Sequence, residues 1–333
     1  MVDFSEELEK AANEKTLILG NGFGLSYDNA FKSNHFSWNT LLELCDIEEG
    51  SQLHSLLAEC NYDFELVHQK LNNAIDILAR YSPENALIQE LENQVQVLRE
   101  QLTVAVASSH PQSFNIDFNT DEGREKKKKI EACRVFLRKF SKVFSLNYDL
   151  LLYWVRCFDN NCLGQDSFDN EDGELVFYPD SNANYLFPHG ALFLFRDGVG
   201  AKKSRSSMAN PILARVERKI GNGNFPMCVS EGTGSQKLSA IKSNSYLLFS
   251  YEKIMECEGT VFTFGCSFLD DKDSHIIKAI LKSPSTKVVV GEHNPTEASV
   301  HRLSHEFSRL KQELNSNKEI VVADTSGVDI WEP

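Results

Sequence analysis

The stretch Phe144-Ser145-Leu146-Asn147-Tyr148-Asp149 carries an apolar run straight into an amide, a phenol and a carboxylate, and the helical-looking Leu150-Leu151-Leu152-Tyr153-Trp154 follows. In α/β sheets ligands bind outside the carboxyl ends of strands, so polar groups at a strand-to-helix junction are placed to meet one. Asn and Asp are also ordinary helix caps, and that reading stands beside the first. Upstream, Leu17-Ile18-Leu19 runs into Gly20-Asn21-Gly22-Phe23-Gly24. Glycines there allow a tight turn and a close backbone approach to a ligand, and the amino end of a following helix favours a phosphate. The pattern is short of a full G-x-G-x-x-G, so a purely structural turn fits it equally. Downstream, Phe187-Pro188-His189-Gly190 sets an imidazole beside a glycine, either as a base or as a packed turn histidine. A fourth group, Gly265-x-Ser267 with Asp270, offers donors and acceptors for a ribose or a second phosphate. Together the four suit a dinucleotide.

The elements that must position these groups alternate. Residues 16–19 form an apolar run bounded by glycine, the mark of a strand buried on both faces. Residues 5–13 read as a short amphipathic helix over a sheet edge. Between positions about 38 and 138 helix periods dominate: residues 62–71 continue through Ile75 and Leu78, and residues 83–106 carry the stripe Leu87, Leu91, Val95, Leu98 and Leu102. This is expected to be a helical insertion between the first and second strands, with 108–124 as a surface loop and Val135-Phe136-Leu137 leading into the Asn147 strand. Strands are expected at 175–178, 185–187 and 191–195, between polar stretches at 159–173 and 202–225, the latter a flap. From 226 onward strands at 227–230, 261–265, 287–291 and 320–324 alternate with helices at 237–254, 275–282 and 297–314. The expectation is one α/β domain over 1–333, with a Rossmann-like parallel sheet, helices on both faces and the helical insertion within it.

A formal net charge of -14 disfavours a grip on nucleic acid. The run Lys126-Lys127-Lys128-Lys129 reads as the solvated start of a helix after Asp121-Glu122-Gly123. No apolar run approaches the ~20 residues of a membrane span, and the amino terminus is acidic and amphipathic, so no membrane partner and a cytoplasmic location are expected. The eight cysteines are scattered, with Cys157 and Cys162 too far apart for the C-x-x-C knuckle of a zinc site, and reduced, packed thiols are expected. His68 reads as packed or solvent-facing. His301 and His305 share a helix face but lack the Glu and third ligand of H-E-x-x-H, so they read as surface residues and no metal is expected. Ser235 and Ser239 have no nucleophile-elbow pattern. Glu231, Lys237 and Tyr246 are further candidates to line a pocket.

In this order the residues resemble the sirtuin-like NAD-consuming domains of bacterial antiphage defence. That family is marked by a glycine turn after the first strand, an Asn-Tyr-Asp strand end, a His-Gly and a late Gly-x-Ser-x-x-Asp. The resemblance runs the whole chain and takes in Asp63-Phe64-Glu65 of the insertion. It implies an NAD+ hydrolase that releases nicotinamide and ADP-ribose, with NAD as substrate. Asn147 would orient the nicotinamide ribose or the attacking water, His189 would be the general base, and Asp149 would support the ribose hydroxyls. Gly20, Asn21, Gly22, Phe23, Ser26, Tyr148, Gly265, Ser267 and Asp270 would bind the dinucleotide. Cleavage of the nicotinamide–ribose bond builds oxocarbenium charge, which suits an amide that fixes the sugar and a base titrating near neutrality. The chain departs from deacylating sirtuins in lacking their four-cysteine zinc module, which favours hydrolysis over peptide deacylation. Asn21 and Gly24 stand where sirtuin turns often have Ala and Ser, leaving Ser26 to take over the hydroxyl's role. The resemblance further implies control by homo-oligomerisation, or by an ATPase or sensor partner that contacts the insertion. Two alternatives are a regulatory subunit that binds NAD or an ADP-ribose derivative without cleaving it, and a protein ADP-ribosyltransferase or deacylase.

Overall fold

The computed structural model describes every residue except positions 1, 12–13, 37–43, 61–62, 111–116, 118, 173, 205–211, 231, 270 and 333. Strands are β1 (Val2–Asp3), β2 (Lys15–Leu19), β3 (Lys142–Ser145), β4 (Phe168–Glu171), β5 (Glu174–Phe177), β6 (Tyr185–Leu186), β7 (Gly190–Asp197), β8 (Gly200–Lys203), β9 (Pro226–Cys228), β10 (Thr260–Phe264), β11 (Lys287–Glu292) and β12 (Glu319–Asp324). Helices are α1 (Phe4–Lys10), α2 (Gly22–Phe31), α3 (Gln52–Glu59), α4 (Phe64–Tyr81), α5 (Leu87–Ser109), α6 (Asp121–Leu137), α7 (Leu151–Arg156), α8 (Ile212–Gly221), α9 (Gly234–Lys242), α10 (Ser245–Met255), α11 (Ser274–Lys282) and α12 (Glu297–Glu313).

Seven strands form one sheet in the order β1-β12-β11-β10-β2-β3-β6, and every neighbouring pair is parallel. Counted along the chain from β2, the six strands that follow one another in this sheet lie in the spatial order 3-2-1-4-5-6, that of the doubly wound Rossmann-like fold. Right-handed crossovers then place the helices of the two halves on opposite faces. Strands covered on both faces must be apolar throughout: all of β10, and β2 from Thr16 to Leu19, are buried.

The winding reverses between β2 and β10, and there the two backbones touch. Gly20 donates its N–H to Phe264 O (2.9 Å) and Gly22 to Gly265 O (3.0 Å). A Cβ on Gly20 would lie 2.4 Å from Gly265 O, and one on Gly22 2.4 Å from Gly265 Cα. The glycines of the first turn are therefore demanded by packing.

The chain on either side of β6 builds a second, antiparallel sheet, β4-β5-β8-β7-β9, with β4 and β5 before β6 and β7 to β9 after it. The strand expected at 227–230 belongs here: Pro226–Cys228 pairs with β7 and is not part of the parallel layer. Residues 202–225 are not wholly a flap, since the end of β8 and all of α8 fall within them and α8 buries Ile212, Leu213 and Val216. The single helix expected over 237–254 breaks in two, because Asn244 accepts the N–H of Tyr246 (3.0 Å) and Leu247 (3.2 Å) and starts a new helix. Val135-Phe136-Leu137 ends α6 instead of leading into a strand. Helix α1 does more than cover an edge, for Phe4 is fully buried against Phe262 and Phe264.

Helices α3 to α6 occupy the expected insertion, whose start near position 38 lies outside the described residues. The lysine run sits in α6 and is largely paired, Lys126 with Glu122 (2.7 Å) and Lys127 with Asp159 (3.4 Å). No helix among the described residues is long and apolar enough to cross a membrane.

Gly190 is the position where a side chain is least tolerable: its φ is +81° and a Cβ would lie 1.9 Å from Met227 O. Gly190→Ala is expected to lower the free energy of unfolding by about 3 kcal/mol or more, as strain and clash add. Gly221→Ala, at a helix end with open space around it, is expected to be neutral or to stabilise by up to ~1 kcal/mol. Urea unfolding of both variants against the parent checks the contrast.

Candidate functional site

The ends of β2, β3 and β6 lie side by side, and hydrogen bonds join them. Leu146 donates its N–H to Leu19 O (2.9 Å), and Asn147 Nδ2 donates to Gly20 O (3.0 Å). The Asn147 amide is buried and thus latched to the glycine turn by its nitrogen, which leaves Oδ1 as the acceptor. His189 comes to the same place from β6, its ring beside the backbone of Leu146, the residue before Asn147. The first three sequence groups therefore converge.

Asp149 caps the helix after the turn, Oδ1 accepting the Leu151 N–H (2.8 Å). Burial pushes its carboxyl up to about 6, against that bond and with help from the nearby Asp28 charge. The Leu150 N–H is taken by His110 Nε2 (2.8 Å), which reaches over from the end of the insertion. Tyr148 donates its hydroxyl to Val229 O (2.5 Å), and its carbonyl accepts the Leu192 N–H (2.7 Å), tying the turn to the second sheet.

His189 belongs to a buried set that sequence reading largely missed. Its Nε2 lies 2.8 Å from His275 Nε2, with the rings stacked 5.0 Å apart. Asp273 is close by, the ligand atoms of the three residues lying within 4.8 Å of one another. Lys237 Nζ reaches Asp273 Oδ1 (3.1 Å) and Glu65 Oε1 (2.8 Å), and Lys272 pairs with Asp63 and, at 3.8 Å, with Glu65. Burial first, then the Lys237 charge, pushes His189 down to about 4. His275 is held well below the ordinary imidazole range by burial and by His189. Asp273, with Lys237 and both imidazoles beside it, is held down at about 2 despite its burial. Two neutral imidazoles share the contact, with one hydrogen bond between their Nε2 atoms. His275 Nδ1 is buried with no partner.

His, His and Asp are ligand types for a borderline cation. Two nitrogens on a tetrahedral ion would stand about 3.3 Å apart, wider than the 2.8 Å seen, and the Lys237 ammonium already supplies positive charge beside Asp273. As arranged, the two imidazoles are hydrogen-bonded to each other beside the Lys237–Asp273 ion pair.

Other sequence candidates are placed differently. Phe23 is fully buried and stacked on Trp331 (5.6 Å), so its side chain is core. Ser26 donates to Phe23 O (2.7 Å) and accepts from Trp331 Nε1 (2.9 Å), so its hydroxyl is committed to packing. Asn21 is half-buried at the start of α2 and makes no side-chain cap bond. Gly265 abuts Gly22, while Ser267 is exposed and its carbonyl accepts from Arg302 (3.0 Å). Asp270 and Glu231 lie outside the described residues. Tyr246 is fully buried with its hydroxyl accepting the Phe187 N–H (3.1 Å). His68 is packed, between Asn72 (2.9 Å) and Arg99 (3.2 Å), and burial pushes it down to about 4. His301 and His305 stand exposed on α12. The signal that could have found His275 was Asp273-x-His275 opening a helix after the same strand as Gly265.

The profile of one protein family, described as Domain of unknown function (DUF4917), matches residues 17–305, a span that holds the glycine turn, Asn147, His189 and His275. None of the curated proteins matches the chain.

Two outcomes follow from the burial of these groups. Lys237→Met would leave Glu65 and Asp273 without their shared cation and is expected to cost about 3–5 kcal/mol of stability, read by urea unfolding. His68, His189 and His275 have folded pKa values below the ordinary 6.5, so between about 4 and 6.5 the unfolded chain binds more of their protons. Stability therefore rises with pH across that window, and Asp149, raised to about 6, subtracts part of the slope. A net slope of roughly 1–3 kcal/mol per pH unit is expected, shallower in a His189→Gln/His275→Gln double variant; unfolding midpoints at pH 4.5, 5.5 and 6.5 check it.

Proposed function

Taking as premise that the chain belongs to the DUF4917 family, we propose that it is an NAD+ glycohydrolase that releases nicotinamide and ADP-ribose. The observation that carries the reading is the convergence of the Gly20 turn, Asn147 and His189 on adjacent strand ends, beside the point where the sheet reverses its winding. Doubly wound sheets bind nucleotides in that crevice.

Asn147 gives its nitrogen to Gly20 O and presents Oδ1 to a ribose hydroxyl or the attacking water. His189, pushed down to about 4 and so below the near-neutral value expected of the base, is neutral at pH 7, the state a base needs, and shares a hydrogen bond with His275. Asp149, titrating at about 6, is mostly ionised at neutral pH and supports the ribose hydroxyls. The resemblance to antiphage sirtuin-like domains supports a cytoplasmic effector that depletes NAD on infection. It also supports control by self-assembly or by an ATPase or sensor partner docking on α3 to α5. Glu65 ties that insertion to Lys237 and so to the His189 cluster, giving a docked partner a route to the base.

One observation favours a second reading, an NAD or ADP-ribose sensor without turnover: His189 Nε2 is already engaged by His275. Purified parent, Asn147→Ala and His189→Ala proteins mixed with NAD+ separate the two. Each variant is expected to release nicotinamide at least ~100-fold more slowly than the parent. Equal release from all three contradicts the hydrolase. Tight calorimetric binding without release by the parent selects the sensor.

A further inference from the structure

Outside that site, the turn after α7 holds two thiols in contact. Cys157 and Cys162 have their Sγ atoms 2.7 Å apart and are not joined in a disulfide. The backbone on either side is fixed. Leu163 donates its N–H to Arg156 O (2.9 Å), and Arg156 Nε donates back to Leu163 O (2.7 Å). From α6 the buried Arg134 guanidinium donates to Val155 O (2.7 Å), Arg156 O (2.9 Å) and Asn161 O (2.7 Å), so one group grips the chain before each cysteine. Arg156 is in turn anchored on Asp166 (2.6 Å), which also pairs with Lys203. Cys162 is exposed and Cys157 half-buried behind it.

We propose that Cys157 and Cys162 form a redox-active dithiol that reduces small hydroperoxides, with Cys162 attacking and Cys157 resolving. The Cys162 thiolate attacks the outer peroxide oxygen, the O–O bond breaks, and the alkoxide or hydroxide leaves and takes up a proton, giving Cys162 sulfenic acid. The Cys157 sulfur then attacks the Cys162 sulfur, the S–OH bond breaks, and water leaves with the Cys157 proton. Two thiols and one hydroperoxide thus become one disulfide, one alcohol or water, and one water. The environment suits these roles: the bond from Cys157, aided by Arg156 and Lys203, pulls Cys162 down to about 6, while the same bond and burial push Cys157 up. Prior fixing of both backbones removes most of the entropic cost of closing the ring.

A thiol of that acidity gains in thiolate fraction and loses in nucleophilicity, and the balance at pH 6 is about a tenfold faster alkylation than an ordinary exposed thiol. The full-length protein treated with one equivalent of hydrogen peroxide is expected to lose two hydrogens, with peptide mapping giving a Cys157–Cys162 link. Cys157→Ser is expected to stop at a sulfenic acid trapped by dimedone at Cys162, and Cys162→Ser to form neither product. Circular dichroism and the unfolding midpoint check that each variant folds. Peroxide consumption scattered over the other cysteines, or Cys162 alkylation at pH 6 no faster than that of glutathione, overturns the proposal.

Discussion

One buried ammonium holds the molecule's parts in register. Lys237 is 1% exposed and lies between Glu65, at the start of the insertion's helix α4, and Asp273, at the foot of α11. Removing a charge from water costs several kcal/mol, which only close partners offset, and two carboxylates converge on this one. The pairing fixes where the insertion sits on the α/β core, and Gly232 lets it come close, since a Cβ there would lie 2.1 Å from Gln69 Cβ. The same ammonium helps to hold His189 neutral. Placement of the insertion and the proton state of the strand-end imidazole thus depend on the same three charges.

A second constraint is the passage from one sheet to the other. His189 is the last residue before the chain turns from β6 of the parallel sheet into β7 of the antiparallel one, and Gly190 makes that turn with a positive φ. The His189 carbonyl accepts the Val229 N–H (2.9 Å) and the Val229 carbonyl accepts from Tyr148. The second sheet therefore serves as a brace that holds the imidazole against the end of β3. The Asn-Tyr-Asp turn is held from three sides: by the Gly20 carbonyl, by Val229 and by His110.

Much of this was legible in the sequence. Apolar runs ending in Gly, Asn or Asp mark the parallel strands because strands buried on both faces leave no room for polar residues until they end. The convergence of Gly20, Asn147 and His189 follows, since all three occupy carboxyl ends of neighbouring parallel strands. What escaped was long-range. The second sheet was invisible because the alternation in 168–177 and 190–203 fits either layer. His275 and Lys237 gave no local pattern, as their roles arise from partners 86 residues (His189) and 172 residues (Glu65) away. Phe23 and Ser26 are dinucleotide contacts only by the resemblance, which no local pattern could check against Trp331, at the far end of the chain, packing on the Phe23 ring and donating to the Ser26 hydroxyl.

The central proposal is that the carboxyl ends of β2, β3 and β6 receive a dinucleotide at the His189 imidazole. Nitrogen NMR of the histidine side chains during titration with ADP-ribose tests it most directly. The account predicts that His189 and His275 begin as neutral rings and shift together, saturably, while His301 and His305 stay still. Saturable binding that leaves the His189 and His275 signals unmoved would contradict it.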